Sequence, residues 1–145
     1  MRLDGPGETE AFGRRLAAQL RAGDAIALFG ELGAGKTTLA RGILAGLGHE
    51  GEVASPTFPI VIPYEALTVP AWHVDLYRIE DPAELEELAL DEALEDGALI
   101  VEWPERMGSA LWPHSLRLTL RRDGEGARAL TAEVPAAWEA RWPPR

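Results

Sequence analysis

Eight residues in the first third of the chain limit what it can fold into. Gly30-Glu31-Leu32-Gly33-Ala34-Gly35-Lys36-Thr37 matches the pattern G-x-x-x-x-G-K-[ST] at every fixed position. The five residues before it, Ala25-Ile26-Ala27-Leu28-Phe29, are all apolar, the mark of a parallel strand buried on both faces. After it, Leu39, Ile43, Leu44 and Leu47 recur at helical spacing, so a helix begins near Gly35. Strand, glycine loop and helix in that order make a polyphosphate site. The amides of Gly33, Ala34, Gly35, Lys36, Thr37 and Thr38 point at a β-phosphate, aided by the helix N-terminus. Lys36 bridges the β- and γ-phosphates, and the Thr37 hydroxyl is placed to ligate Mg²⁺.

The choice of cation agrees with this reading. Of the 14 lysines and arginines, one is lysine, Lys36, and thirteen are arginine. Lysine is a compact charge on a thin stem, whereas arginine is a planar fork. A loop wrapped around phosphates has room for the stem and not for the fork.

The remaining composition narrows the class. A chain of 145 residues, 46% hydrophobic and 26% charged, suits a single domain over residues 1–145 with one good core. No apolar run approaches a membrane span, and the first residues do not form a secretory leader, so a cytoplasmic protein with no membrane contact is expected. Without cysteine there are no disulfides, thiol nucleophiles or thiolate metal sites. The chain also lacks asparagine and has one glutamine, Gln19, a thermophile-like bias that a GC-rich genome also produces. The net charge is −10, and residues 80–96 carry nine acids and no base. A direct nucleic-acid binder presents the opposite, a basic stripe that neutralises phosphates. The acidic run suits a solvated pair of short helices that also offers a docking face to a basic protein.

Along the chain, residues 8–21 form an amphipathic helix closed by Gly23. Strands are expected at Phe58–Tyr64 and Trp72–Tyr77, close enough in sequence to pair antiparallel, which makes the sheet mixed. Asp81-Pro82-Ala83-Glu84 is a capping box with proline at the first helical position. Ala98–Val101 is another buried strand. Leu116–Leu120 and Arg128–Val134 alternate around Asp123-Gly124-Glu125-Gly126 as a hairpin. The fold class is therefore α/β, P-loop NTPase-like, with three layers and a mixed sheet.

Nucleotide hydrolysis needs a carboxylate near Mg²⁺ and a group that positions water. Two strands end in acids: Ala98-Leu99-Ile100-Val101-Glu102 and Trp72-His73-Val74-Asp75. Either acid could hold metal or water. His73 shares a strand face with Asp75 and is read as a structural hydrogen-bonding residue more than a catalytic partner. Trp103 is read as a pocket-lining aromatic. Ser55-Pro56-Thr57 stands where a γ-phosphate-sensing switch loop would lie, and reads equally as a plain proline turn. Without asparagine and with its one lysine engaged, the chain cannot build an Asn-Lys-x-Asp guanine site, so adenine nucleotide, ATP, is favoured. The competing classes are a small-molecule or protein kinase, with Arg121 and Arg122 as lid candidates, and a nucleotide-gated adaptor without turnover.

Four segments in order, Gly30 to Thr38, Ser55-Pro56-Thr57-Phe58, His73-Val74-Asp75-Leu76-Tyr77-Arg78 and Glu102-Trp103-Pro104, resemble the TsaE family. These are the small ATPases of bacterial threonylcarbamoyl-adenosine tRNA modification. The phosphate loop is generic, while the second pair of segments is specific. The resemblance implies slow ATP hydrolysis in isolation and partnership with the TsaD–TsaB heterodimer, with no direct tRNA binding by the chain alone. By position it implies that Lys36, Thr37 and Thr38 hold phosphates and metal and that Glu102 ligates Mg²⁺. Asp75 and Trp103 would serve activity, and Arg128 would lie near the nucleotide. The segment just before the first helix, around Thr9, would lie near the base. Ile62, where a polar residue is common, and the short Trp- and Pro-rich tail after Val134 depart from the pattern.

Overall fold

The computed structural model describes residues 1–53 and 60–145, and among them seven strands join in one mixed sheet. The strands are β1 (Arg2–Asp4), β2 (Ala25–Phe29), β3 (Val61–Tyr64), β4 (Ala71–Asp75), β5 (Ala98–Glu102), β6 (Leu116–Arg122) and β7 (Ala127–Glu133), in the spatial order β1-β7-β6-β2-β5-β4-β3. The centre is parallel: β2 pairs with β5 and β6, and β5 pairs with β4. The margins are antiparallel, through β3–β4 on one side and β6–β7–β1 on the other. All five residues of β5 are buried, as its unbroken apolar run requires of a strand covered on both faces.

Among the described residues four α-helices cover the sheet: α1 (Gly5–Ala17), α2 (Lys36–Gly46), α3 (Pro82–Glu87) and α4 (Leu90–Asp96). Successive strand residues point to opposite faces. Ile26, Leu28 and Ile100 therefore join Phe12, Leu16, Leu39 and Ile43 of α1 and α2 in one core. Ala25, Ala27, Leu99 and Val101 join Leu90 and Leu94 of α4, with Met107 and Leu111, in the other. The result is the three-layer α/β arrangement expected from sequence.

Several boundaries differ from the sequence expectation. The first helix starts at Gly5, not residue 8, and ends at Ala17, not 21. Pro6 sits in its first turn with its φ already helical, and the Glu8 carboxylate accepts the backbone N–H of Asp4. Strand β1 was not expected; it pairs Leu3 with Arg128 of β7 and buries Leu3. Strand β4 stops at Asp75 instead of Tyr77, because the Asp75 carboxylate accepts the Tyr77 N–H at 2.9 Å and turns the chain. The capping box is present, with Asp81 Oδ1 accepting from Ala83 N and Glu84 Oε2 from Asp81 N. The Ser55-Pro56-Thr57 segment and the start of the strand expected from Phe58 lie outside the described residues. The tail is fixed at the edge of the sheet opposite the phosphate-binding loop. There Arg141 forms a buried bidentate pair with Asp24, at 2.6 and 3.0 Å, and lies over Trp138.

Helices α1 and α2 approach with backbone against backbone. A Cβ on Gly13 would lie 2.7 Å from Leu39 O, and one on Gly42 2.3 Å from Glu10 O. No side-chain rotation relieves such contacts. Gly42→Ala is therefore expected to lower the urea midpoint. The overpacking loss of roughly 1–3 kcal/mol outweighs the ~1 kcal/mol of helix propensity gained. Gly7→Ala, in the same helical layer with nothing within 4 Å, serves as the control and should not destabilise. An unchanged midpoint for Gly42→Ala would show that the two helices separate freely.

Candidate functional site

Strands β2, β5 and β4 run parallel, so their C-terminal ends share one edge, where ligands gather in open α/β sheets. The register aligns Leu28 with Glu102 and Glu102 with Asp75. Leaving β2, the chain turns through Gly30, then closes a turn in which Ala34 N–H donates to Glu31 O at 3.1 Å. Gly35 enters α2 at φ 104°, a left-handed conformation that favours glycine. No side chain caps α2, so its first N–H groups face the cleft, an electrostatically positive end.

The cleft holds about 380 Å³. Of the residues expected at a site, Gly33, Gly35, Lys36, Thr37, Thr38, Asp75, Glu102, Trp103 and Arg128 line it. Ala34 is buried in the loop and lines a neighbouring cavity beside Arg121 and Arg122. Thr9 is not part of the lining. Because α1 begins early, Thr9 lies inside that helix, buried, with its hydroxyl donating to Gly5 O.

A chain of polar contacts crosses the cleft floor. The Thr37 hydroxyl lies 3.2 and 3.3 Å from the two carboxylate oxygens of Glu102. His73 Nε2 lies 2.6 Å from Glu102 Oε2, with the ring fully buried. An ionised Glu102 only accepts, so His73 carries its proton on Nε2. Its Nδ1 is buried without a hydrogen-bond partner among the described residues. His73 thus serves as a structural donor, as read from sequence, but to Glu102 on the neighbouring strand. The period-two pattern pointed to Asp75; only the β4–β5 register reveals the true partner.

Burial dominates the electrostatics. It pushes the Asp75 carboxyl above the usual range, and the charge of Glu102 pushes the same way; the Tyr77 N–H, Lys36 and His73 oppose it. Burial also lowers the Lys36 ammonium, against the pull of Glu102, Glu105 and Asp75. Lys36 Nζ donates to Gly30 O at 2.5 Å and sits 3.5 Å above the Trp103 ring. Trp103, at φ 58°, packs against Tyr77 with the rings tilted by 52° and centroids 4.9 Å apart.

Two carboxylates beside one ammonium leave the floor negative, and a hydroxyl and a carboxylate are hard oxygen donors. That set suits Mg²⁺, which takes one or two protein oxygens and completes its shell with water and substrate phosphate. Among the described residues no group of three or more histidines and acids forms a cage of its own. Thr37 and Glu102 would hold the ion, and Lys36 with the loop amides would hold phosphates.

A glycine-rich loop between a central parallel strand and the helix that follows defines an α/β protein with a P-loop NTPase-like fold. The crystal structure of YdiB from Bacillus subtilis has this architecture: it matches with a TM-score of 0.81 and 32% identity, covering 94% of this chain and 85% of that one. The family model described as threonylcarbamoyl adenosine biosynthesis protein TsaE matches residues 3–130. The tRNA threonylcarbamoyladenosine biosynthesis protein TsaE of Streptomyces coelicolor is 50% identical over 113 residues, 76% of each chain. The protein of the same name from Bacillus subtilis is 40% identical over 127 residues, 87% of this chain and 79% of that one. The chain belongs to the TsaE family, whose work is the biosynthesis of threonylcarbamoyladenosine in tRNA.

The electrostatic account has a measurable consequence. Glu102→Gln removes a like charge facing Asp75, so the Asp75 carboxyl should titrate at lower pH than in the wild type. Carboxyl-carbon NMR of the metal-free protein reads this directly. An Asp75 titration that stays put or rises would show that the two carboxylates do not sense each other.

Proposed function

We propose that the chain binds Mg²⁺-ATP in this cleft and hydrolyses it slowly, and that it supports threonylcarbamoyladenosine formation in tRNA through a TsaD–TsaB partner. One observation carries the nucleotide reading. The loop hydroxyl of Thr37 meets the strand-end carboxylate of Glu102 in the cleft that Lys36 also lines, although Thr37 and Glu102 are 65 residues apart. When bound, the metal would neutralise charge developing on the phosphates. The protein's own part is to hold the triphosphate on the loop amides and Lys36, and to fix Glu102 through His73. Asp75, buried and facing the same space, is the candidate for positioning water. The kinase alternative rests on the cavity of about 310 Å³ beside Arg121 and Arg122. Phosphate appearing on a second substrate instead of as free phosphate would favour it.

Calorimetry tests the site. Lys36→Ala removes a charge-assisted contact worth roughly 1.5–3 kcal/mol, so ATP affinity should fall at least tenfold, and hydrolysis should cease. Glu102→Gln should raise the Mg²⁺ concentration needed for ATP binding. Asp75→Asn should keep Mg²⁺-ATP binding and slow turnover. Wild-type affinity in Lys36→Ala would refute the loop assignment, and a changed Mg²⁺ requirement in Asp75→Asn alone would reverse the two carboxylate roles.

The partner reading rests on charge. All nine acids of residues 80–96 are exposed on and around α3 and α4, and among the described residues none is in an ion pair. Approach to tRNA phosphates would bring like charges together, whereas a basic protein surface is attracted. Lysine at positions 84, 86 and 87 in place of the three glutamates should slow association with TsaD–TsaB and reduce its salt dependence. Basal ATPase activity should hold, because these side chains lie outside the cleft. Tight, salt-sensitive tRNA binding by the isolated chain, or unchanged partner association, would overturn the reading.

A further inference from the structure

Arg128 approaches the phosphate-binding loop from its carbonyl side. Its Nε donates to Ala34 O at 2.8 Å, its Nη2 to Gly33 O at 3.2 Å and its Nη1 to Ala127 O at 2.9 Å. Each guanidinium nitrogen is thus bonded to a backbone carbonyl, two of them in the loop. Arg122, at the end of β6, reaches Leu32 O at 3.5 Å. A Cβ on Gly33 would lie 2.4 Å from Arg122 Nη2, and one on Gly35 would lie 3.5 Å from Arg128 Nε. The two forks are packed directly on the loop glycines.

The peptide unit is planar and trans, so its N–H points opposite to its C=O. The carbonyl of Ala34 shares a plane with the N–H of Gly35. Held by Arg128, that carbonyl turns the Gly35 N–H away from the guanidinium and toward the cleft. The carbonyl of Gly33 shares a plane with the N–H of Ala34, which closes the turn on Glu31 O. Glycine by itself leaves these planes free to rotate. A residue anchored in the sheet, in register with Leu3 of β1 and Arg122 of β6, removes that freedom.

We infer that Arg128 is a positioning residue: through Ala34 O it turns the Gly35 amide toward the cleft before a phosphate arrives, through Gly33 O it braces the turn that Ala34 N–H closes, and it acts through the loop instead of through contact with the nucleoside. The inference rests on the proposed nucleotide reading for its ligand, though not for its geometry.

The test uses the full chain with Arg128→Met and Arg128→Lys. Lysine keeps the charge but cannot fork across two carbonyls. In ligand-free protein, NMR should show exchange of the Ala34 amide accelerated about tenfold or more in both variants, as expected when charge-assisted bonds are lost. Calorimetry with ADP and with inorganic pyrophosphate should show both affinities falling by the same factor, with the melting temperature nearly unchanged. Unchanged Ala34 exchange overturns the inference. So does loss of ADP binding with full pyrophosphate binding, which would place Arg128 on the nucleoside. Wild-type affinity in Arg128→Lys would reduce the role to charge alone and overturn it too. If Arg128→Met does not fold, the lysine variant carries the same readouts. A wild-type chain that binds neither ligand defeats the nucleotide reading, while the exchange measurement still decides whether Arg128 holds the loop.

Discussion

The parallel register of β5 between β2 and β4 is the constraint from which the site follows. Each of these strands is short and mostly apolar, and each must be covered on both faces to exist in water. Buried strands end where polar groups begin, and because the three run the same way they end together. Glu102, Asp75 and the glycine loop after Phe29 are thereby delivered to one edge. A slip of one residue in β5 would send Glu102 to the face of α4 and separate it from Thr37 and His73. The bond of 2.6 Å between His73 and Glu102 and the alternating side-chain pattern of β5 therefore enforce the same alignment.

The same edge is electrostatically tense. Asp75 and Glu102 are nearly buried, and Lys36 is buried beside them, its charge disfavoured by desolvation. Folding alone would relieve this by moving the groups into water. They stay because the sheet ends beneath them and α2 begins above them, and each finds a local partner: His73 and Thr37 for Glu102, the Tyr77 amide for Asp75, Gly30 O and the Trp103 face for Lys36. A polar group confined in this way is poised for a ligand that satisfies it better. In the proposed function that ligand is a metal-bound triphosphate.

Much of this was legible in the sequence, and the limits are physical. Continuous apolar runs announced β2 and β5, and the alternating residues around Asp123–Gly126 announced the β6–β7 hairpin, because burial on two faces or on one leaves distinct periods. The acid after Val101 was visible for the same reason. Strand β1 was not, since three residues carry no period; it exists because β7 offers an open edge. The start of α1 was missed because Gly5-Pro6-Gly7 reads as a loop until the Glu8 carboxylate is seen holding Asp4 N–H. The 3₁₀ turns within Pro104–Ala110, separated by a kink at Gly108, were likewise hidden behind proline and glycine. Thr9, which the resemblance places just before the first helix, lies inside α1 because that helix starts early. Contacts across strands, such as His73 with Glu102, depend on register, and a single chain's local pattern does not contain it.

The chain's use of cations makes sense around the loop once both sides are in view. In the cleft stands its one lysine, a compact charge on a flexible stem that can shift between acceptors. At the loop's carbonyls stands Arg128, whose rigid fork matches a pair of carbonyls held fixed. Exchanging the two types would fail on both sides: an arginine at position 36 would fill the space that phosphates need, and a lysine at 128 would hold one carbonyl and release the other. Gly33 and Gly35 are required by conformation: their φ of 78° and 104° lie where side chains rarely go, and the far end of Arg122 would also have to move for a Cβ on Gly33. The glycine pattern that identifies the loop in the sequence is thus set by the turn itself, which the Arg128 fork then holds.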